Sequence, residues 1–89
     1  MQYQYALPER LAIQASSFEE FANGAAQCHA VLFDGTKHAG ILISNATAVV
    51  AMREHLTLPF SIDSIESLYQ IGEDGSPVNR DGWTYFDKW

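Results

Sequence analysis

Three histidines and one cysteine carry the most versatile chemistry in this sequence: Cys28, His29, His38 and His55. Imidazole and thiolate groups bind zinc, and a thiolate beside an imidazole can act as a nucleophile. Their spacing matches none of the C-x-x-C, H-x₃₋₅-H or H-E-x-x-H patterns that place such groups together. Adjacent strand residues also point to opposite faces, so Cys28 and His29 do not meet. We therefore expect strand-surface histidines, a buried structural cysteine, no metal and no cofactor.

Carboxylates are the other candidates for chemistry, because a pair of them can act as general acid and base. The acids considered are Asp34, Glu54, Asp63 and Glu66. Asp34 fits a turn and Asp63 fits a helical turn or its cap, while Glu54 and Glu66 fit charges on strand surfaces. No catalytic residue is predicted, and we do not expect an enzyme.

Two loops partly match ion-binding or phosphate-binding patterns. Gly35 and Gly40 have the G-x-x-x-x-G spacing of a phosphate loop, but Ile41-Leu42 stand where that loop needs Lys and Ser or Thr. Residues 73–75 begin like a calcium loop and lack its spaced acids and final Glu. Both segments are therefore interpreted as ordinary turns.

Aromatic residues alternate in the C-terminal stretch, which predicts a strand over 82–89. Aromatic side chains surrounded by charge are typical of protein-binding hot spots. The predicted partner-binding residues are Trp83, Tyr85, Trp89, Glu73, Asp74, Asp81 and Asp87. The alternative is that this strand pairs with a short N-terminal strand over 3–7, so that the rings complete the core.

The charge balance indicates the class of partner. The chain has 11 acids against 5 bases, a formal net charge of −6, and in residues 54–89 the only bases are Arg80 and Lys88. Affinity for nucleic acid comes mostly from Lys and Arg, so this surface disfavours it, whereas a basic protein is attracted. We predict a small acidic, non-catalytic protein-binding domain: an adaptor, or an immunity- or antitoxin-type inhibitor of a basic protein. The sequence leaves assembly into a homo-oligomer as an open alternative.

Length and composition limit the architecture and the compartment. A chain of 89 residues is expected to form a single domain, 1–89. One cysteine cannot form an internal disulfide, and no apolar run approaches the roughly 18 residues that span a membrane. The N-terminus lacks a signal-peptide pattern, so we expect a cytoplasmic protein without a membrane segment.

The strongest fold signal lies in residues 29–43. Two apolar runs, Ala30 to Phe33 and Gly40 to Ile43, flank Asp34-Gly35, a dipeptide that tolerates the positive φ angles of a tight turn. The pattern predicts a β-hairpin with Asp34, Gly35 and Gly40 as its structural turn residues.

Capping and alternation predict the elements before the hairpin. Ser16 and Glu19 have the spacing of a capping box, which predicts a short helix over 17–23. Residues 10–14 alternate and are interpreted as a strand or a loose lead-in.

After the hairpin, valines at 49 and 50 favour a strand over 48–52. The spacing of Val49, Met52 and Leu56 leaves a helix over 46–56 open. The elements predicted after Pro59 are one helical turn over 61–64, a strand over 65–71 and a loop over 72–77.

This order of a short helix, a hairpin with a glycine at its bend, a third strand, one helical turn and a final strand resembles the Sm family and its bacterial Hfq branch. Val31 to Gly35, Thr36 to Ala39 and Gly40 to Leu42 carry the resemblance, which covers about residues 18–68. It implies a mainly β (α+β) fold, namely a small SH3/Sm-like antiparallel barrel with a short N-terminal helix. It also implies RNA binding and ring assembly by strand pairing.

The RNA-binding positions of that family are not matched here. Its Tyr-Lys-His group falls on residues 61–63 of this chain, which are Ser-Ile-Asp, and its Arg-rich segment falls on residues 24–27, which are Gly-Ala-Ala-Gln. An Sm-like RNA-binding protein is the alternative function and a small enzyme the third. The bases that an RNA-binding face would gather are Arg10, Lys37, Arg53, Arg80 and Lys88.

Overall fold

The computed structural model describes residues 3–22, 24–75 and 83–87. Its elements are α1 (Glu9–Ala15), β1 (Ala25–Leu32), β2 (Lys37–Ser44), β3 (Ala48–Met52) and β4 (Ile65–Tyr69), with 3₁₀ turns at Ile62–Ser64 and Gly72–Gly75. The strands form one antiparallel sheet in the order β3-β2-β1-β4. The prediction of a mainly β fold with one short helix is confirmed, in the form of an open sheet. No helix among the described residues is long and apolar enough to cross a membrane.

The β1–β2 hairpin turns at Asp34 and Gly35. The Asp34 carboxylate accepts hydrogen bonds from the Thr36 backbone N–H at 2.9 Å and from the Thr36 hydroxyl at 2.7 Å. These two bonds, the backbone one first, lower the pKa of the Asp34 carboxyl. Gly35 has φ of +90°, in the left-handed region where residues with a Cβ are strained. The hairpin predicted from residues 29–43 is therefore present.

Gly40 lies inside β2, at an irregularity of the β1–β2 pairing. The register shifts between Cys28 and Ala30 of β1, which leaves an extra residue on β2. Gly40 has φ of +69°, and a Cβ there would lie 2.8 Å from Cβ of Arg53. A glycine is required because the bulge combines a left-handed backbone with a close approach of the Arg53 side chain.

The helix lies earlier in the chain than the sequence predicted. The prediction of a helix over 17–23 is wrong, and residues 10–14 are helical rather than a strand or lead-in. α1 follows Pro8, whose φ of −66° suits entry into a helix. Leu11 and Ala15 lie four residues apart and are both buried, so the helix forms because this face packs on the sheet.

The serines that were interpreted as a helix start instead close the end of α1. The Ser16 hydroxyl donates to the Ile13 carbonyl at 2.7 Å, and the Ser17 hydroxyl donates to the Gln14 carbonyl at 2.9 Å. Carbonyls in the last turn of a helix lack intrahelical partners, and these hydroxyls supply them. Short polar side chains serve both ends of helices, which is why the capping-box spacing misled.

The β2–β3 connection decides between strand and helix for the segment that follows. Asn45 and Ala46 have φ of 50° and 59°, two consecutive left-handed residues as in a type I′ hairpin turn. Such a turn connects two antiparallel strands, and all five residues of β3 are buried. The strand over 48–52 is confirmed, and the helix over 46–56 is not formed.

Side chains of α1 cover the outer edge of β4. The Gln14 side-chain oxygen accepts a hydrogen bond from the Leu68 backbone N–H at 2.8 Å. The Arg10 guanidinium donates to the carbonyls of Ile65 at 2.6 Å and Glu66 at 3.1 Å. These bonds satisfy backbone groups that an exposed edge strand would offer to another chain.

Both terminal segments cover the outer edge of β3. The Val49 N–H donates to the Tyr5 carbonyl at 3.0 Å, and the Phe86 N–H donates to the Val50 carbonyl at 2.8 Å. The rings of Tyr5 and Phe86 meet edge to face with centroids 5.1 Å apart. In the described part of these segments the pairing consists of isolated bridges at Ala6 and Tyr85 rather than full strands.

The sheet carries an apolar cluster on each face. The larger cluster lies under α1 and contains Leu11, Ala15, Cys28, Ala30, Leu32, Ile41, Ile43, Val49, Met52, Leu58, Ile65 and Leu68. The smaller cluster contains Leu42, Ala48, Val50 and Ala51, with Tyr3, Phe21 and Trp83 packed against it.

Gly35→Val should lower the free energy of unfolding by more than about 1 kcal/mol, because a β-branched residue is strained at this left-handed bend. A Cβ at Gly35 meets no atom within 4 Å, so the cost arises from the backbone alone. Gly72→Val is the matched control, since a Cβ there also meets nothing and its φ is not left-handed. In chemical denaturation the control should change stability by less than about 0.5 kcal/mol. Equal losses for the two variants would contradict a positive-φ bend at Gly35.

Candidate functional site

The predicted C-terminal aromatic surface is only partly accessible. Trp83 is half-buried and packs against the smaller apolar cluster, as Tyr3 does. Tyr85 is 46% exposed. Trp89 and Asp81 lie outside the described residues. Of the two interpretations of these rings, Trp83 fits the completed core, whereas Tyr85 is partly exposed.

The acids predicted to surround those rings have different environments. Glu73 is exposed. Asp87 is partly buried, and its carboxylate accepts a hydrogen bond from the Gln4 N–H at 3.1 Å. Asp74 is fully buried at 0% exposure, so its carboxylate is not available to a protein partner. The partner-binding role of Trp83, Tyr85, Glu73 and Asp87 stays a prediction.

Exposed carboxylates dominate the described surface. They are Glu9, Glu19, Glu20, Asp34, Glu54, Asp63, Glu66 and Glu73. Within residues 3–22, 24–75 and 83–87, the close contacts between carboxylates and basic side chains all involve His29, so none of these carboxylates pairs with a lysine or an arginine. No described lysine or arginine therefore neutralises these eight carboxylates.

The three described bases are exposed, and one of them binds the backbone of the protein itself. The Arg10 guanidinium binds backbone carbonyls of β4, and the Arg53 side chain lies against Gly40. Lys37 is exposed at the start of β2. Arg80 and Lys88 lie outside the described residues. Of the three described bases, Arg10 therefore uses its guanidinium to bind backbone carbonyls of the protein itself.

One exposed surface combines large apolar side chains with acids. Phe33 is 63% exposed and Ile13 is 64% exposed. The Arg10 guanidinium carbon lies 5.5 Å from the centroid of the Phe33 ring, and Ile13 follows Arg10 by three residues on α1. Two exposed acids lie near Arg10: Glu9 precedes it in α1, and Glu66 of β4 accepts a hydrogen bond from it through the backbone carbonyl. We call the surface formed by these five residues the acidic–apolar face.

A second candidate site lies where β1 meets the Gly72–Gly75 turn. The His29 ring nitrogen Nδ1 lies 2.9 Å from Asp74 Oδ2, and its Nε2 lies 3.5 Å from Glu73 Oε1. Asp74 Oδ1 accepts a hydrogen bond from the Gln27 side-chain amide at 3.2 Å, and Oδ2 also accepts one from the Ile71 N–H at 2.8 Å. The buried carboxylate therefore fastens the turn to β1.

His29, Glu73 and Asp74 are the residues of this site that could hold a metal, since one ligand atom from each lies within 4.8 Å of the others. Sequence reasoning missed this group because the turn is distant from His29 along the chain. The signal that would reveal it is strand pairing: His29 pairs with Tyr69, the last residue of β4, so the residues that follow β4 return to His29.

A shallow cavity of about 470 Å³ opens beside the end of α1. Its lining residues are Ala15, Ser16, Phe18, Glu20, Ala26, Ile43, Asn45 and Ala46. Glu20 is the titratable member of that lining. The cavity does not include His29, which alternates with Ala26 and Cys28 along β1 and faces the other side of the sheet.

Comparison with known proteins finds no matching family model, curated protein or solved structure for this chain. The resemblance to the Sm family stays a prediction.

The Cys28 thiol should be unreactive in the folded protein. Cys28 is 0% exposed, and burial, followed by the negative charge of Asp74, raises the pKa of the thiol far above its usual range. Alkylation by iodoacetamide near about pH 8 should be at least about a hundredfold slower in buffer than in concentrated guanidinium chloride, because the reactive species is the thiolate. Equal rates in the two solutions would contradict the burial of Cys28.

Proposed function

We propose that this domain binds a basic protein partner and performs no catalysis itself. The observation that carries the proposal is the set of exposed carboxylates without lysine or arginine partners in the described residues. Unpaired surface charge of one sign produces a field that extends about 10 Å at moderate salt and guides an oppositely charged protein toward it.

The acidic–apolar face is the contact surface we propose. Charge alone gives steering, whereas affinity needs buried apolar area around a few anchors. Phe33 and Ile13 supply that area, and Arg10 holds its guanidinium over the Phe33 ring. Glu9 and Glu66 place carboxylates beside these anchors, where they would meet basic residues of the partner. Tyr85 remains the alternative anchor, in the C-terminal surface that the sequence predicted.

Two forms of this function fit a domain of this size. It could act as an adaptor, or as an immunity- or antitoxin-type inhibitor that covers a basic surface of its target. We expect it to work in the cytoplasm, where a single free cysteine such as Cys28 stays reduced. The element order of α1, a three-strand meander, a 3₁₀ turn and β4 is the order that an Sm-like barrel would need, and closure into a barrel belongs to this proposal.

The alternative function is Sm-like RNA binding. It requires a common face for Arg10, Lys37, Arg53, Arg80 and Lys88. Of the three described bases, Arg10 donates to the carbonyls of β4 and the Arg53 side chain lies against Gly40. These contacts favour the protein partner over nucleic acid. The experiment below therefore includes RNA as a competing ligand.

The proposal predicts that a partner is captured at low salt and released at moderate salt. The immobilised chain is incubated with native-host extract at about 0.05 M NaCl, eluted with a rising gradient, and the bound proteins are identified by mass spectrometry. A protein of net positive charge should elute below about 0.5 M NaCl, because screening at that ionic strength shortens the field to less than about 5 Å. A gel shift with a mixed RNA pool is run in parallel.

Charge-reversal variants locate the contact. Glu9→Lys with Glu66→Lys should weaken binding of the identified partner at least about tenfold, because both substitutions lie on the acidic–apolar face. Glu20→Lys with Glu54→Lys changes the net charge equally at exposed positions that do not belong to that face, and should weaken binding less than about threefold. Equal losses, release only near about 1 M NaCl, or RNA bound at micromolar protein would contradict the proposal.

A further inference from the structure

The buried carboxylate of Asp74 determines which nitrogen of the His29 ring carries a proton. Its Oδ2 atom already accepts the Ile71 N–H, and its Oδ1 atom accepts the Gln27 amide. An ionised carboxylate can only accept hydrogen bonds, so the bond between His29 Nδ1 and Oδ2 requires Nδ1 to be the donor. In the neutral ring Nε2 then carries a lone pair, directed away from Asp74.

That lone pair faces a second carboxylate. Nε2 of His29 lies 3.5 Å from Oε1 of Glu73. Two acceptors that face each other repel unless a cation lies between them. A proton shared as a charge-assisted hydrogen bond would bring the two atoms to about 2.7–2.9 Å. A histidine nitrogen at about 2.0–2.1 Å and a carboxylate oxygen at about 2.0–2.2 Å from one tetrahedral metal ion lie about 3.3–3.5 Å apart. The observed separation of 3.5 Å is at the upper end of this range.

We propose that His29 Nε2 and the Glu73 carboxylate bind a divalent transition-metal ion of the zinc class. Asp74 is a positioning residue in this site, because it holds the ring in the tautomer and orientation that a metal needs. A carboxylate behind a metal-binding histidine is the usual arrangement of such sites, and here that carboxylate is itself fixed by Gln27 and the Ile71 N–H.

The donor set selects the type of metal. One imidazole nitrogen with one carboxylate oxygen suits zinc, cobalt or nickel, whereas calcium and magnesium prefer oxygen ligands alone. The positive charge of the ion would also offset the negative charges of Glu73 and Asp74. The Glu73 side chain is 51% exposed and that of His29 is 12% exposed, so the ion would be open to water on one side. This inference is independent of the proposed protein partner.

Zinc titration of the full, chelator-stripped chain tests the site by calorimetry. Binding with one ion per chain and a dissociation constant below about 100 μM is expected, together with a higher melting temperature. Magnesium and calcium at the same concentrations should give neither effect. Nitrogen-15 NMR of the imidazole rings should show that zinc shifts Nε2 of His29, and not the rings of His38 and His55, at one equivalent.

Matched variants keep the test independent of folding. Glu73→Gln should weaken zinc binding at least tenfold without changing the melting temperature of the metal-free chain, because Glu73 is half exposed. His29→Ala should abolish binding, and the matched controls Glu66→Gln and His55→Ala should leave it unchanged. Asp74→Asn should weaken binding about 10- to 100-fold if the metal-free variant is folded by circular dichroism. Unchanged zinc affinity in Glu73→Gln, initial shifts at His38 or His55, or no saturable binding would overturn the proposal.

Discussion

Both edges of the four-stranded sheet are covered by other segments of the chain, and this covering fixes where the helix and the termini lie. An uncovered edge strand presents a row of backbone donors and acceptors to any other chain. β4 and β3 are the edges in this sheet, and each is occupied by segments of the same chain. Gln14 and Arg10 of α1 bind the backbone of β4, whereas residues near Tyr5 and Phe86 bind the backbone of β3. The helix and both termini are placed by this requirement.

Edge covering also shapes the surface that remains. Arg10 directs its charge to the carbonyls of Ile65 and Glu66, so it does not neutralise a neighbouring acid. Among the described residues the exposed carboxylates have no lysine or arginine partner, and this supports a basic protein as the proposed partner. Placing β4 beside β1 has a second consequence, because the turn after β4 returns to β1 and brings Asp74 against His29.

Local signals in the sequence were sufficient for the meander and the turns. The Asp34-Gly35 dipeptide favours a tight turn, and Gly35 has the left-handed φ that such a turn needs. The valines of β3 lie in a strand, as predicted. The helical turn before β4 was also predicted, and Ser61 begins it by accepting a hydrogen bond from the Asp63 N–H at 3.2 Å. These elements depend on contacts between residues that are close along the chain.

The elements that were missed depend on tertiary contacts. α1 has only seven residues, and it is helical because Leu11 and Ala15 pack on the sheet. The sequence pattern of so short a segment does not predict this packing. The capping-box spacing of Ser16 was misleading because serine hydroxyls also serve helix C-termini. The His29–Asp74 pair required knowledge that β1 and β4 are neighbours, and strand order does not follow from periodicity.

Hydrogen exchange at the outward-facing amides of the edge strands is the most direct test of whether both edges of the sheet are covered. The amides of Val49 and Leu68 point away from the sheet, toward the Tyr5 carbonyl and the Gln14 side chain. Measured by NMR, both should exchange at least about a hundredfold more slowly than the same sequence in an unfolded peptide. If either amide exchanges at the unfolded rate while amides within the sheet stay protected, that edge strand is not covered. This result would contradict the structure.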